Sequence, residues 1–215
     1  MARWMKVVVL CVVVASAVAQ AGDDGWKPLF NGKDTTGWTD GGKPWLVQDG
    51  ALTWQKGCGY IWTKERFGDF VLDLEFNVSK GCNSGVFFRT SNLRSVVQTG
   101  IEMQVLDYFG RKPNRHSCGA IYDCLAPTKT TVKKPGEWNH MTLTCNDNKI
   151  IVVMNGEQIV DMDLDKWTEA RKNPDGSKNK FKTPYKDMVR EGHIGFQDHG
   201  KAVSYRNVRI KVLGK

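Results

Sequence analysis

Residues 69–78, DFVLDLEFNV, decide the fold of this 215-residue chain. Every second position is apolar, and the positions between carry Asp73, Glu75 and Asn77. An alternation with a period of two is typical of a β-strand that buries one face and exposes the other. The apolar face of this strand is Phe70, Leu72, Leu74, Phe76 and Val78.

Most of the remaining chain also predicts strands. Residues 45–54, WLVQDGALTW, place Asp49-Gly50 between two apolar runs, and residues 149–160, KIIVVMNGEQIV, do the same with Asn155-Gly156; both dipeptides are strong hairpin signals. Residues 138–145, WNHMTLTC, alternate again. Helical signal is confined to one or two turns in DLDKWTEARK, and residues 171–187 predict a polar surface loop. The pattern therefore predicts an all-β fold, an antiparallel two-sheet β-sandwich of the jelly-roll kind.

The first residues have the three-part pattern of a secretory signal peptide. Arg3 and Lys6 precede an apolar run over 7–19 that ends in small residues, and the run is short for a bilayer span of about 20 residues. We expect residues 1–21 to be a signal peptide cleaved after Ala19 or Ala21, with an uncleaved anchor as the alternative. Residues 22–215 are then one domain, exported to the periplasm or the extracellular space, with no membrane span after cleavage.

Charge and cysteine content narrow the classes of protein further. The formal net charge of +8 falls to +6 without Arg3 and Lys6, and the basic residues are scattered. The densest basic region, 166–186, contains acidic residues and no aromatic ladder, so we expect a solvated surface and no nucleic-acid partner. Five cysteines remain after cleavage, so at least one is unpaired; Cys118 and Cys124 could close a small loop.

Residues 101–108, IEMQVLDY, combine a core-building pattern with polar side chains. Ile101, Met103 and Val105 predict a buried face, whereas Glu102 and Gln104 share the opposite face. Asp107 would point away from them unless a β-bulge re-aims it. The polar face could line a sheet open to solvent, or it could be the wet face of an edge strand.

Other polar groups fall at strand ends and turns. GCNSGVFFR offers Asn83 and Arg89, RHSCGAIYD offers His116 and Tyr122, and GFQDHG offers three polar residues directly after a strand. Each has an ordinary structural explanation when it is considered alone.

Ten ordered segments from about Leu29 to Leu213 resemble the 3-keto-disaccharide hydrolase family. The resemblance implies a concanavalin-like jelly roll with a sugar cleft on its concave sheet, in exported bacterial proteins that act on 3-keto-glycosides. The segments are LFNGKDTTGWT, WLVQDGAL, FGDFVLDLEF, GCNSGVFFR, GIEMQVLDY, HSCGAIYD, GEWNHMTL, VVMNGEQIV, GHIGFQDHG and VSYRNVRI.

The family's recurrent motifs contain the candidate site residues. The catalytic candidates are Glu102, Asp107 and His116. The substrate-binding candidates are Asn83, Arg89, Gln104, Tyr122, Gln197, Asp198 and His199. The spacing of Glu102, Gln104 and Asp107 is also similar to the E-x-D-x-x-E strand of laminarinase-type glycosidases. Gln104 stands where that pattern has Asp, and Asp107 where it has the second Glu, so the usual orienting acid is missing and a plain retaining double displacement is disfavoured.

A 3-keto sugar permits cleavage by elimination and hydration, because the ketone acidifies the C2 hydrogen. This chemistry needs a base, an acid for the leaving group, and a cation or hydrogen-bond donor for the enolate oxygen. Glu102 or His116 could be the base and Asp107 the acid or a metal ligand. The enolate could be held by Arg89, by His199 or by a divalent metal ion. Such an ion is the only cofactor that the sequence suggests. We expect Arg89, Glu102, His116 and His199 to converge on one cleft.

Two other functional classes of protein are also compatible with the sequence. A non-catalytic carbohydrate-binding module uses the same fold but needs no acid and base. A structural exported protein would have no reason to gather His, Asp, Glu and Arg near one face.

Overall fold

The computed structural model describes residues 25–214, which form two antiparallel sheets with little helix. The predicted signal peptide, residues 1–21, lies outside the described residues. One sheet has eight strands in the order β11-β10-β9-β6-β13-β4-β3, and β1 pairs with β13. Its strands are β1 (Trp26–Pro28), β3 (Leu46–Gln48), β4 (Ala51–Thr53), β6 (Phe70–Val78), β9 (Asn139–Asn146), β10 (Lys149–Met154), β11 (Glu157–Asp163) and β13 (Val203–Val212).

The second sheet has five strands in the order β2-β5-β12-β7-β8. The predicted helical segment forms only a 3₁₀ turn, Leu164–Lys166, and a second such turn is Tyr185–Asp187. The one α-helix among the described residues, α1 (Val96–Thr99), directly precedes the strand Ile101–Leu106 of this sheet. The strands are β2 (Trp38–Asp40), β5 (Ile61–Thr63), β7 (Asn83–Thr90), β8 (Ile101–Leu106) and β12 (His193–Phe196).

Both predicted hairpins are confirmed. Strands β3 and β4 pair antiparallel around Asp49-Gly50, and β10 and β11 pair around Asn155-Gly156. All four turn residues have positive φ, as two-residue hairpin turns of this kind require.

The space between the sheets is the hydrophobic core. The alternating apolar side chains of β6 are fully buried there, and the opposite sheet contributes residues such as Val86, Met103 and Phe196. The all-β sandwich that the sequence predicts is therefore confirmed. None of the helices within residues 25–214 is long and apolar enough to cross a bilayer.

The five cysteines of the described chain are buried free thiols, so the suggested Cys118–Cys124 loop is not closed. Burial raises the pKa of Cys118, Cys124 and Cys145 to about 12. These side chains are neutral at neutral pH and pack as small apolar groups.

Candidate active site

A row of side chains crosses the outer face of the five-stranded sheet, away from the core. Strand register places Trp62 beside Gly195, Gly195 beside Phe87, and Phe87 beside Glu102. The loop after β8 extends the row, since the Tyr122 N–H donates to the Glu102 carbonyl at 2.9 Å. Residues that face each other across antiparallel strands share one face. The carboxyl of Glu102 therefore lies in a row that is otherwise aromatic or glycine.

Glu102 is buried, although the sequence predicts an open or wet face for it. It is only 7% exposed, and its carboxyl has no hydrogen-bond partner among residues 25–214. Burial raises the pKa of the Glu102 carboxyl to about 7, and the positive charge of Lys180 opposes part of this rise. A carboxyl with a pKa near neutrality can both accept and donate a proton at physiological pH.

Gln104 is the second polar residue on this face of β8, and it too is buried. Its amide nitrogen donates to Asn83 Oδ1 at 2.8 Å, whereas its buried Oε1 has no hydrogen-bond partner. In the same part of the sheet, Gln197 donates through its amide nitrogen to the Tyr60 hydroxyl at 2.9 Å. An unsatisfied buried acceptor is costly, so its presence beside Glu102 points to a functional constraint on this face.

Aromatic rings form one side of the site. Tyr60 and Trp62 stack with centroids 5.5 Å apart and an interplanar angle of 11°, and Phe87 meets both edge-on. A Cβ on Gly195 would stand 2.3 Å from the Trp62 ring, so glycine is needed for the ring to lie against the sheet. Flat aromatic surfaces beside polar groups suit the apolar faces of a sugar ring.

A second group of charged side chains borders Tyr122. The His116 ring lies 4.9 Å from the Tyr122 ring and its Nε2 is 3.0 Å from the Asp123 carboxylate. The ammonium of Lys180 lies 4.1 Å from the centroid of the same tyrosine. The structure thus brings His116 and Tyr122 to the border of the Glu102 face, as the sequence predicts.

Arg89 does not join this group. A β-bulge interrupts the pairing of β7 with β12, and Arg89 sits in it with a φ of 50°. Its fully buried guanidinium donates to the Gly68 and Asp147 carbonyls and pairs with Asp69 at 2.8 Å. Bulges re-aim side chains, and here the bulge directs Arg89 to a structural network instead of the expected sugar site.

Asp107, Asp198 and His199 also depart from the expected cluster. The Asp107 carboxylate accepts from the Gly81 N–H at 2.8 Å and so holds the turn before β7. Asp198 accepts from the indole of Trp54 and from backbone N–H groups; although burial alone would raise its pKa, these hydrogen bonds hold it below the ordinary value. His199 is exposed beside it. Of the four residues expected to converge on one cleft, the contacts of Arg89 and the position of His199 therefore differ from those of Glu102 and His116.

Sequence reasoning missed three residues of this face. Tyr60 and Trp62 alternate in GYIWT, a signal that could have placed two aromatic side chains on one strand face. Lys180 gives no such signal, because it lies in a polar loop without periodicity and reaches the site only through the fold.

Another charged cluster lies on the outer face of the eight-stranded sheet, beside a cavity of about 470 Å³. There the Asp73 carboxylate is shared by His140 at 2.7 Å and Arg209 at 3.0 Å. Its charges are already paired, whereas the carboxyl of Glu102 has no partner in the described chain.

Within residues 25–214 no three His, Cys, Asp or Glu side chains are grouped to hold a metal ion. The divalent ion considered above stays a prediction.

Comparison with known proteins assigns the chain to a class of carbohydrate-active β-sandwich proteins. The model of the 3-keto-alpha-glucoside-1,2-lyase-like domain matches residues 25–211. A 3-keto-disaccharide hydrolase of Bacteroides thetaiotaomicron is 29% identical over 230 aligned residues, covering 88% of this chain and 79% of that protein.

Solved structures agree with this assignment. The crystal structure of a proposed glycosyl hydrolase from Parabacteroides distasonis is 36% identical with a TM-score of 0.80, and covers 87% of this chain and 99% of that one. A galectin-like protein of unknown function from Bacillus subtilis shares only the fold, at 15% identity and a TM-score of 0.58 over 86% of this chain and 94% of its own.

The chain belongs to the 3-keto-disaccharide hydrolase family, whose domain matches nearly all of the described residues. The family predicted from the ten sequence segments is thereby confirmed, and with it the class of enzyme, a hydrolase of glycosidic bonds. The roles of individual residues are not given by this membership.

Proposed function

We propose that the protein cleaves 3-keto-glycosides by elimination across C1 and C2, followed by hydration, with Glu102 as the base that removes the C2 proton. The observation that carries the proposal is the buried carboxyl of Glu102, which has no hydrogen-bond partner among residues 25–214 and a pKa of about 7. The description of the matching domain as a 1,2-lyase supports an elimination, and the relative's description as a hydrolase supports the net reaction. Elimination followed by addition of water to C1 includes a lyase step and gives hydrolysis as the net reaction.

The neighbouring side chains fit the other tasks. His116, oriented by Asp123, is the proton donor for the departing glycosidic oxygen. The rings of Tyr60 and Tyr122 bind the sugar faces, with the buried Trp62 ring packed behind Tyr60, and Asn83, Gln104 and Gln197 bind hydroxyl groups. Asp107 and Asp198 position backbone turns at the edge of the site.

Export stays part of the proposal. The charged, apolar and small-residue segments of residues 1–21 support a cleaved signal peptide, and hence action in the periplasm or outside the cell. Mass spectrometry of the protein isolated from its host tests this, and a mass that includes Met1 to Ala19 would contradict cleavage.

The experiment uses a 3-keto-α-glucoside and its unoxidised parent in D₂O, with and without a chelator. We expect release of the aglycone from the keto sugar alone, with deuterium at C2 of the sugar product, because elimination removes that proton. Cleavage of both substrates without deuterium at C2 would show ordinary glycoside hydrolysis instead. Loss of turnover with chelator, restored by added metal, would show that a divalent ion takes part.

Glu102→Gln is the variant that tests the base, since it keeps the shape of the side chain and removes its ability to take a proton. A positioned general base contributes about 10²–10⁴-fold in rate, so we expect turnover to fall by that factor. Glu137→Gln, the same change at an exposed position, is the matched control.

The carbohydrate-binding alternative is favoured by the stacked pair of Tyr60 and Trp62. It predicts binding of the keto sugar or its parent by calorimetry with no release of product. Glu102→Gln would then weaken binding modestly.

A further inference from the structure

The polar loop of residues 171–182 is tied down beside the outer face of the five-stranded sheet. The Lys180 N–H donates to the Asp123 carboxylate at 2.9 Å, and the Lys180 carbonyl accepts from the Gln98 side chain at 3.2 Å. Asn173 donates to the Asp123 carbonyl at 3.1 Å. The backbone of Lys180 is therefore held on both sides, and its position is set by residues of the site border.

The side chain of Lys180 points from this anchor to the site. Its Nζ lies 4.1 Å from the centroid of the Tyr122 ring, and Tyr122 is the neighbour of Glu102 in the row across the sheet. Among residues 25–214 no carboxylate lies within ion-pair distance of this ammonium, whereas Arg115 nearby is paired with Asp175. The charge of Lys180 also reaches the Glu102 carboxyl, whose pKa it lowers against the effect of burial.

The elimination requires a cation or hydrogen-bond donor for the enolate oxygen, and the two residues expected to supply it lie elsewhere in the structure. Arg89, one candidate for the enolate oxygen, is bound within the structural network beside Asp69, and His199, the other, is an exposed side chain next to Asp198. A preorganised donor aimed at a developing oxyanion contributes more than one that must move into place. Lys180 supplies a cation here: its backbone is fixed by hydrogen bonds, its ammonium lies on the Tyr122 ring, and no carboxylate among residues 25–214 pairs with it.

Resting on the function proposed above, we propose that Lys180 is a catalytic residue whose ammonium binds the C3 oxygen of the sugar and stabilises the enolate. When Glu102 takes the C2 proton, the C2–H electron pair forms a C2–C3 double bond, and the carbonyl pair moves onto the C3 oxygen beside Lys180. The pair then returns, the C3 carbonyl reforms, C1 and C2 become doubly bonded, and the C1–O bond breaks. The departing oxygen takes a proton from the acid. Water then adds to C1 by the reverse sequence: the new C1–O bond forms as the charge returns to the C3 oxygen, the water gives a proton to the deprotonated acid, and Glu102 returns its proton to C2.

The structural alternative is that Lys180 only covers the Tyr122 ring. Lys180→Met separates the two, because methionine keeps an unbranched apolar side chain over the ring and lacks the charge. Lys180→Arg keeps the charge, and Lys178→Met is the matched control, an exposed lysine in the same loop. Lys180 is exposed, so these variants are expected to fold, which thermal unfolding checks.

The test measures kcat, KM and the pH dependence of kcat/KM on the 3-keto-α-glucoside for all variants beside Glu102→Gln. Loss of an oxyanion donor costs about 10²–10³-fold in kcat, and we expect this for Lys180→Met with a smaller change in KM. The acidic limb of its kcat/KM profile should move to higher pH, since Glu102 loses a neighbouring positive charge. Lys180→Arg should recover part of the rate, and Lys178→Met should match the wild type.

The results separate the two proposals. If the wild type turns over and Glu102→Gln does not, but Lys180→Met has wild-type kcat and pH profile, the role of Lys180 is wrong and the proposed function stands. If the wild type neither releases product nor exchanges the C2 proton, the proposed function fails and the role of Lys180 fails with it.

Discussion

The carboxylate of Glu102 lies directly over Gly85 of the neighbouring strand. A Cβ built on Gly85 would stand 2.4 Å from Glu102 Oε1, closer than real Cβ atoms approach other heavy atoms. Gly85 itself has no positive φ, so its backbone conformation is open to other residues. The glycine therefore serves the side chain of Glu102 and not a turn, and it lets the carboxylate lie flat against the sheet.

Gly85→Ala should displace the Glu102 carboxylate while leaving the fold intact. Misplacing a reacting group by about 1 Å can cost about 10²-fold in rate, so we expect kcat/KM on the 3-keto-α-glucoside to fall by that order. The melting temperature should change little, because the clash is with the end of a side chain and not with backbone. Gly68→Ala is the control, since its Cβ would meet only ordinary contact, 3.5 Å from the Arg190 carbonyl. Equal kinetics in both variants would contradict the placement of Glu102.

The pH dependence of the reaction should report the raised pKa of Glu102. As the base, Glu102 must be deprotonated, so kcat/KM is expected to fall on the acid side with an apparent pKa of about 7. An ordinary glutamate would place this limb near about pH 4.3. A profile of kcat/KM that stays flat from about pH 8 to about pH 5 would exclude Glu102 as the base.

The same group should make stability fall as the pH rises. Because the folded protein holds the Glu102 proton more tightly than the unfolded chain, the stability linked to this proton is complete below about pH 4.5 and is lost by about pH 7. The rise in the pKa of Glu102 from its ordinary value of 4.5 to about 7 corresponds to about 3 kcal/mol in the free energy of unfolding. Glutamine does not titrate, so the stability of Glu102→Gln should not fall in this way as the pH rises.

Thermal unfolding of the wild type and Glu102→Gln at about pH 4 and about pH 8 measures the effect. The two proteins should have similar melting temperatures at the lower pH, and the variant should be the more stable at the higher pH. Titrations of all other groups cancel in this comparison. A constant difference between the two proteins at both pH values would show that Glu102 titrates as an exposed carboxyl.

Much of the fold follows from local rules that the sequence displays. The alternation in residues 69–78 determines which side chains of β6 reach the core, and Asp49-Gly50 and Asn155-Gly156 determine two hairpins. Each rests on the period of a strand or on the φ values of a two-residue turn. Such signals act between neighbours in sequence and can be recognised without knowledge of the sheet order.

The site was predictable only where it lies on a regular strand. Glu102 and Gln104 share a face in any strand, but their burial depends on the loops that cover β8, which no pattern predicts. Arg89 was a candidate through the family motif GCNSGVFFR, and regular alternation along that strand would place it on the face of Phe87. The bulge at Arg89 breaks that alternation. Lys180 enters the site through a loop about 80 residues away in sequence, anchored by long-range hydrogen bonds.

Replacing Arg89 should lower stability and leave the chemistry unchanged. Its side chain is fully buried with one ion pair and two hydrogen bonds to carbonyl groups. Removing one partner of a buried pair costs about 3–5 kcal/mol, and here the Gly68 and Asp147 carbonyls and the half-buried Asp69 carboxylate all lose their donor. We expect a loss of this size for Arg89→Met, measured by denaturant unfolding. Arg66→Met, an exposed arginine, should stay within about 0.5 kcal/mol of the wild type.

Kinetics on the folded fraction decide between this role and the sugar-binding role that the sequence predicts for Arg89. At a temperature well below the unfolding transition, the structural role gives wild-type KM and kcat per folded molecule, because the guanidinium does not contact the outer face of the five-stranded sheet. Arg89→Lys, which keeps the charge, supplies the same comparison if the methionine variant does not fold. A raised KM together with an unchanged free energy of unfolding would instead mean that the guanidinium leaves Asp69 to bind substrate.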